Sequence, residues 1–230
     1  MLSKRKLGLM VGLLFALPIA LGTTTLVTAS AATTKTTTKV AKATPKKKKA
    51  KHTYLIVMGH GAGDPGARGN GTNEAKFLRK YYLPQLKKYA KQIKNSKVVF
   101  YNSKHDIVRD TLVHHKGSYK INKKTTVIMF HLDAPYGRGG HVIIHKKHPT
   151  ARDKRMAKVI KKYVGLNRAY NGYSYRTDLK NCNVLRHRHV DYSLVEMGFI
   201  TNKSNFKHLK KNRAKIAKAY IEAITNENIK

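Results

Sequence analysis

The sequence predicts an α/β fold, a single domain with a twisted, mostly parallel sheet flanked by helices. Short apolar runs typical of buried strands alternate along the chain with longer segments of helical periodicity. The length of 230 residues is sufficient to bury an ordinary hydrophobic core. Cys182 is the only cysteine, so an intramolecular disulfide is excluded and stability must come from the core or from a metal.

The first 31 residues are predicted to be a signal peptide. Lys4, Arg5 and Lys6 precede an apolar run at residues 7–21, and residues 29–31, Ala-Ser-Ala, offer a cleavage site. An uncleaved membrane anchor is the alternative, but the apolar run is shorter than the roughly 20 residues that a spanning helix needs. We therefore expect cleavage, a secreted protein and no stable membrane span afterwards. The net charge of the exported chain favours association with the cell wall.

Residues 32–52 are expected to form a disordered linker rich in Lys and Thr, because they include almost no large apolar side chains. The formal net charge of the chain is +37, and removal of the three cations in the signal peptide leaves about +34. A field of this size predicts salt-dependent binding to a polyanion. For a secreted protein we favour anionic wall polymers such as teichoic acids and expect no specific nucleic acid, although charge alone does not choose among polyanions.

Residues 53–230 are expected to form the folded domain. Strands are predicted at residues 54–58, 98–101, 125–130, 141–145, 183–186 and 192–195. Helices are predicted at residues 73–94, 106–115, 151–164 and 212–225. Asn73 is a suitable N-cap for the first helix, and Pro84 predicts a kink or a break within it.

Polar side chains that can bind metal follow three of the predicted strands. His60 lies just beyond the first strand, His131 directly after the third, and Glu196 directly after the last. In open α/β sheets, functional groups gather at the carboxyl ends of the strands. Glu74 adds a carboxylate in the first turn of the helix that begins where the His60 loop ends.

Two imidazoles and a carboxylate are a familiar ligand set for catalytic zinc, with the fourth position left open. The glycines between His60 and Glu74 allow a tight loop that brings both residues to one ion. A further carboxylate can take a proton from the attacking water. The leading assignment is therefore one zinc ion held by His60, Glu74 and His131, with Glu196 as the general base.

Each of these residues also has a structural interpretation. A glutamate in the first turn of a helix is favoured by the helix dipole, and a histidine after a strand is often a hydrogen-bonded loop residue. The glycine-rich loop lacks the Gly-Lys-Ser/Thr ending of a phosphate-binding P-loop.

The remaining candidate histidines are expected to be surface residues or residues that support the site. They are His114, His115, His141, His145, His187 and His189. Of these, His187 and His189 would face one side of a strand and could bind a metal as a pair. His141 follows the His131 loop closely enough to line the same cleft.

Three segments of the domain resemble the signature of a known family. They are GHGAGDPGARGNGTNE, FHLDA and LVEMGFITN, and they occur in the family's order. They are similar to segments of zinc-dependent N-acetylmuramoyl-L-alanine amidases, which are found in bacterial wall-remodelling enzymes and phage endolysins. The resemblance extends over essentially the whole region from residue 53 to the C-terminal helix.

The resemblance implies that His60, Glu74 and His131 are zinc ligands and that Glu196 is the catalytic glutamate. It also implies a twisted α/β sheet and hydrolysis of the amide between N-acetylmuramic acid and L-alanine in peptidoglycan. The chain departs from the family where Asp-Pro usually precedes Gly-His, and in the residues that follow the third ligand. These departures leave the ligands intact and affect their surroundings and the fit of the substrate.

Two other functions stay open at this point. One is a zinc peptidase that cuts within the stem peptide of peptidoglycan, and the other is a non-catalytic cationic protein that binds wall polymer or extracellular DNA. A nuclease is disfavoured, because the sequence has no second carboxylate-rich cluster for paired metals.

Overall fold

The computed structural model describes residues 51–111 and 120–230, in which a six-stranded sheet is the central element. The strands are β1 (Thr53–Met58), β2 (Arg68–Gly69), β3 (Thr72–Asn73), β4 (Lys97–Phe100), β5 (Thr125–Asp133), β6 (His141–Ile144), β7 (Tyr173–Ser174) and β8 (Asp191–Phe199). The order in the main sheet is β4-β1-β5-β8-β6-β7, while β2 and β3 form a separate antiparallel pair.

The main sheet is mostly parallel. Strands β4, β1, β5 and β8 run in one direction, β6 is antiparallel to β8, and β7 is parallel to β6. Helices pack on both faces of this sheet. The predicted α/β class, with a mostly parallel sheet flanked by helices, is therefore confirmed.

The helices are α1 (Glu74–Phe77), a π-helical segment (Leu78–Tyr82), α2 (Leu83–Ala90), α3 (Ile107–Arg109), α4 (Ala151–Tyr163), α5 (Lys180–His187), α6 (Lys203–Lys211) and α7 (Arg213–Thr225). Asn73 caps α1 as predicted, and its side chain accepts a hydrogen bond from the backbone N–H of Lys76 at 2.9 Å. Pro84 lies in the first turn of α2, directly after the π-helical segment, where its missing N–H is tolerated.

Alternation along the strands separates two hydrophobic cores on opposite faces of the sheet. The first core includes Ile56, Phe130 and Val195, and it packs against α1, α2, α4, α6 and α7. The second core includes Met129 and Leu194, and it packs against α3 and α5. Full burial of each such side chain contributes about 1.5–3 kcal/mol, so the sheet is held firmly from both sides.

The prediction of a strand at residues 183–186 is wrong, because these residues belong to α5. Cys182 and Leu185 are three residues apart and both bury against the second core, which a helix allows. A short apolar run does not by itself distinguish a strand from a helix. His187 and His189 therefore share no strand face: His187 ends α5, and His189 has a left-handed φ of 54°.

Strands β5 and β8 both run beyond their predicted ends. His131 and Glu196 consequently lie within strands rather than after them. The predicted strands end before the ionisable residues His131 and Glu196, whereas backbone pairing between β5 and β8 continues through these positions. Both side chains are thereby held on paired backbone near the carboxyl edge of the sheet, just before the register of the two strands shifts between His131 and Asp133.

Several predictions fall on residues outside the described ranges. They are the signal peptide at residues 1–31, nearly all of the linker at residues 32–52, and the histidines His114 and His115. The helix predicted at residues 106–115 is described only at its start, where α3 forms. Over residues 51–111 and 120–230, no helix has the length and apolar character needed to cross a bilayer.

Candidate metal centre

The loop after β1 places His60 at the carboxyl edge of the sheet in a strained conformation. His60 has a φ of 60°, in the left-handed region that side-chain-bearing residues seldom adopt. Such strain concentrates at functional sites, where the surrounding structure imposes it. A Cβ on Gly59 would overlap the His131 imidazole, and a Cβ on Gly66 would lie 2.8 Å from Glu74 Oε2. The glycines are thus required by the close approach of the three polar side chains.

Glu74 joins the two histidines. Its side chain is only 2% exposed, and its Oε2 lies 3.1 Å from His60 Nε2 while its Oε1 lies 3.0 Å from His131 Nδ1. The backbone N–H groups of Leu132 and Ala67 donate to the same carboxylate at 2.9 and 3.2 Å. Four contacts, two from the loop after β1 and two from β5, therefore fix one buried carboxylate between the two imidazoles.

These three side chains form a group that could hold a metal ion. One ligand atom from each of His60, Glu74 and His131 lies within 4.8 Å of the others, and the described residues contain no other such group of three or more. The two imidazole rings are 5.0 Å apart at 75°. Within the described ranges, His131 Nε2 is buried without a hydrogen-bond partner. A buried polar atom of this kind costs roughly 1–3 kcal/mol unless a ligand satisfies it, which fits a metal site.

The electrostatics of the group favour an ionised Glu74 carboxylate beside a protonated His60. Burial lowers the pKa of His60, but hydrogen bonds and charges from Glu74 and Asp64 outweigh it and raise the value to about 9. Burial raises the pKa of Glu74, but hydrogen bonds from His131 and His60 lower it to about 2. A cation that binds these atoms takes the place of a proton, as metal binding generally does.

Glu196 lies beside this group on the neighbouring strand, where it is in parallel register with His131. Its Oε2 is buried and has no hydrogen-bond partner among the described residues. Burial, followed by the negative charges of Glu74 and Asp133, raises the pKa of Glu196 well above its ordinary value. A carboxyl group with a raised pKa next to a metal-binding group is suited to acid–base chemistry.

Asp64 is a site residue that the sequence analysis missed. Its Oδ2 lies 2.7 Å from His60 Nδ1, and its Oδ1 accepts a hydrogen bond from the backbone N–H of Gly66 at 2.9 Å. A carboxylate on the far nitrogen of a metal-binding histidine fixes the orientation of the ring. The sequence signal was present, because Asp64 follows His60 by four residues within the glycine loop.

Arg79 is a second residue that was missed, and it holds the loop in place. Its guanidinium donates to the carbonyl oxygens of Gly59, His60 and Ser103 at 2.9, 2.6 and 2.8 Å. The planar fork of donors in arginine suits this triple contact, which the single ammonium of lysine would not reproduce. In the sequence, the one faint signal is that Arg79 is the only arginine among the lysines of residues 74–94.

His141 and His145 lie at different places in the fold. The surface alternative is wrong for His141, which is 1% exposed and pairs with Glu196 across β6 and β8. It is thus close to the candidate site, on the strand next to Glu196, but a side chain this buried does not line an open cleft. His145 lies just beyond the other end of β6, with its Nδ1 3.6 Å from Asp191 Oδ1.

Comparison with known proteins identifies the family. The profile of the N-acetylmuramoyl-L-alanine amidase family Amidase_3 matches residues 55–226. The chain belongs to this amidase family. It is also 35% identical over 206 residues to probable autolysin PH of Staphylococcus aureus (strain NCTC 8325 / PS 47). That alignment covers 83% of the chain and 42% of the relative, so the chain spans less than half of the relative's length.

Solved amidase structures share the fold. The catalytic domain of CD27L, an endolysin targeting Clostridia difficile, matches with a TM-score of 0.57 and 20% identity, covering 78% of this chain and 99% of that one. Apo Ami1 from Mycobacterium abscessus matches with a TM-score of 0.57 and 15% identity, covering 77% and 99%. These similarities show a shared fold, while the predicted membership of the amidase family is confirmed by the family match over residues 55–226.

Proposed function

We propose that this chain is a secreted, zinc-dependent N-acetylmuramoyl-L-alanine amidase that hydrolyses the amide between N-acetylmuramic acid and L-alanine in peptidoglycan. Membership of the amidase family and the similarity to a probable autolysin support this proposal. The observation that carries it is the cluster of His60, Glu74 and His131, with the partner-free carboxyl of Glu196 beside it. This arrangement combines a metal site with a group for proton transfer.

The residues present fit a zinc ion. Two imidazoles and one carboxylate are the ligand types of many catalytic zinc sites, and the buried Nε2 of His131 has unused capacity to bind. When bound, zinc supplies a Lewis acid and lowers the pKa of a coordinated water toward about 7. His60, Glu74 and His131 would hold the ion, and Asp64 would orient the His60 ring.

Glu196 carries the proton in the proposed reaction. Its carboxylate takes a proton from the attacking water as the new C–O bond forms at the lactyl carbonyl. The same proton then passes to the nitrogen of L-alanine as the C–N bond breaks. The raised pKa of Glu196 favours this role, because a protonated carboxyl has to persist until the amine departs.

Digestion of purified Gram-positive cell walls tests the proposed activity. We expect new N-terminal alanine while the glycan chains stay uncut, loss of the alanine signal on chelation, and its recovery on addition of zinc. Release of a different amino terminus would instead support a zinc peptidase that cuts within the stem peptide. No product at all, together with binding to walls, would support a non-catalytic cationic protein.

We also propose that the enzyme is exported and held at the wall by charge. The net charge of +37 and the lysines of residues 46–51 favour contact with the phosphates of teichoic acids. Co-sedimentation with walls should fall steeply as salt increases, and walls stripped of teichoic acid should bind less protein. Binding that is insensitive to both treatments would contradict the electrostatic contact and leave the proposed hydrolysis untouched.

A further inference from the structure

A row of three polar side chains crosses the sheet beside the candidate metal centre. His131 on β5 pairs in parallel register with Glu196 on β8, and Glu196 pairs in antiparallel register with His141 on β6. Directly opposite residues in a sheet point to the same face, with Cβ atoms about 4.5–5.5 Å apart in antiparallel pairs. Glu196 therefore lies between two imidazoles, of which only His131 belongs to the metal-binding group.

His141 is buried in an environment that leaves its polar atoms unused. The residue is 1% exposed, and its ring lies 4.2 Å from the ring of Tyr170. Both ring nitrogens are buried without a hydrogen-bond partner in the described part of the chain. Burial, helped by the positive charge of Arg176, lowers the pKa of His141 to about 4, so the imidazole is neutral near pH 7. A neutral imidazole offers one N–H donor and one acceptor.

Packing alone does not account for this histidine. Each buried polar atom without a partner costs roughly 1–3 kcal/mol, whereas a phenylalanine of similar shape would stack on Tyr170 at no such cost. His141 is also absent from the one group of described residues whose ligand atoms are close enough to hold a metal. The unused N–H donor of His141 lies directly opposite the Glu196 carboxyl in the sheet. Packing does not explain why a histidine occupies this position.

We propose that His141 is a positioning residue for Glu196, which donates its ring N–H to the Glu196 carboxylate when substrate is bound. This inference rests on the proposed amide hydrolysis. Catalytic hydrogen bonds are often long or unformed in the free enzyme and tighten only in the complex with substrate. The unpartnered Oε2 of Glu196 is the acceptor that such a bond would satisfy.

The bond would orient the base without changing the chemistry. The proton travels from the attacking water to Glu196 and then to the departing amine, while His141 keeps its own proton throughout. Holding one carboxylate oxygen leaves the other directed at the water, so the reactants start closer to the productive geometry. Removal of the donor should therefore lower kcat, with little effect on substrate affinity or on metal binding.

The test compares His141 and His145, which lie at opposite ends of β6. His141→Phe removes both nitrogens and keeps a ring to pack on Tyr170, and His145→Phe makes the same change at a ring that contacts Tyr192 edge to face. The conservative variants His141→Asn and His141→Gln place an amide near the positions of Nδ1 and Nε2. The full chain is assayed for kcat and KM on a soluble muramoyl-peptide, for bound zinc, and for Tm.

We expect His141→Phe to lose about 10- to 100-fold in kcat with KM and zinc content unchanged, and with a Tm equal to or above that of the parent. One of the two amide variants should recover part of the kcat, whereas His145→Phe should keep the parental kcat.

An active parent with an equally active His141→Phe variant would overturn the inference about His141 and leave the proposed hydrolysis standing. An equal loss of kcat in His145→Phe would also overturn it. A parent without activity would contradict the proposed function, and the inference with it.

Discussion

Asp191 and Glu196 lie on the same strand, five residues apart, yet their carboxyl groups meet opposite environments. Arg152 Nη1 lies 2.8 Å from Asp191 Oδ2, and Thr126 donates to the same oxygen at 3.2 Å. Burial raises the pKa of Asp191, but the contact with Arg152 outweighs it and lowers the value. At Glu196, burial and two neighbouring carboxylates raise the pKa instead. The partnered carboxylate serves stability, and the unpartnered one is available for chemistry.

The same contrast extends to the two edges of the sheet. At the Asp191 edge, Arg152 also donates to the Ser193 hydroxyl at 3.1 Å, and that hydroxyl donates to the buried Asp153. At the opposite edge, buried nitrogens of His131 and His141 have no partner within residues 51–111 and 120–230. Buried atoms without a hydrogen-bond partner occur at both edges of the described sheet, since Arg152 Nη2 and His145 Nδ1 also have none. What distinguishes the candidate catalytic edge is that its unpartnered atoms include a carboxylate oxygen, that of Glu196, and lie beside a group that could hold a metal.

The largest expected effect comes from exchanging each carboxylate for its amide. Glu196→Gln should lower kcat by about 10²- to 10⁴-fold, because proton transfer is lost while the shape is kept. Asp191→Asn should leave kcat at the parental value. Alanine release from peptidoglycan measures both effects. A Glu196→Gln variant as active as the parent would contradict the role of Glu196 in proton transfer.

The next effect concerns the close packing at the catalytic edge. Gly59→Ala should abolish stoichiometric zinc binding, because its Cβ would overlap the His131 ring and displace it. Gly71→Ala is the matched control, since a Cβ there has no neighbour within 4 Å and adds only the strain of a φ of +75°. Metal analysis after dialysis compares the two, and equal zinc content in both variants would contradict this account of the loop.

A smaller effect on the same loop is expected from Arg79→Lys. The lysine keeps the charge but loses the fork of donors that holds the carbonyl oxygens of Gly59 and His60. We expect zinc affinity to fall about 10-fold, with the fold retained. Competition with a chromophoric chelator measures the affinity. An unchanged constant would mean that the loop holds its shape without this clamp.

The smallest effect is the pH dependence of stability at the structural edge. The folded pKa of Asp191 is depressed, so its contribution is complete above its ordinary value of about 4 and is lost as pH falls through the folded pKa. Asp191→Asn should therefore reduce the free energy of unfolding by about 1 kcal/mol at pH 7, a modest figure because Asp191 is 38% exposed. Arg152, His145 and Tyr54 are the charged or titratable groups around it.

Chemical denaturation at about pH 7 and about pH 3 measures this difference between parent and Asp191→Asn. The gap between the two proteins should shrink at the lower pH. Asp178→Asn provides a control, because Asp178 pairs with Arg176 on the surface and should affect stability less. A gap that widens in acid would contradict the assigned direction of the pKa shift.

Much of the fold was predictable from the sequence, because alternation of apolar runs with helical periodicity reports local structure directly. The rule that functional groups gather at strand ends led to His60, His131 and Glu196, even though β5 and β8 extend past two of them. The predicted strand at residues 183–186 is wrong because a run of only four residues fits the repeat of a strand and the repeat of a helix equally well. Local pattern is informative only where an element is long enough to show its repeat.

The supporting residues were not predictable in the same way. Arg79 acts on carbonyl oxygens some twenty positions earlier in the chain. The sequence predicts that His141 lies near the His131 loop, but its position opposite Glu196 depends on the pairing of β6 with β8. Neither contact leaves a periodic trace in the sequence. Such roles arise from tertiary structure, because they depend on which buried polar atoms the fold brings together.

Zinc stoichiometry tests the central claim most directly. We would measure bound zinc per chain for the purified parent and for His60→Ala, Glu74→Gln, His131→Ala and Glu196→Gln after the same dialysis. The account predicts one zinc per chain in the parent and in Glu196→Gln, and loss of zinc in the other three variants. A parent that binds no zinc, or a His131→Ala variant that keeps it fully, would contradict the assignment of this sheet edge as the metal centre.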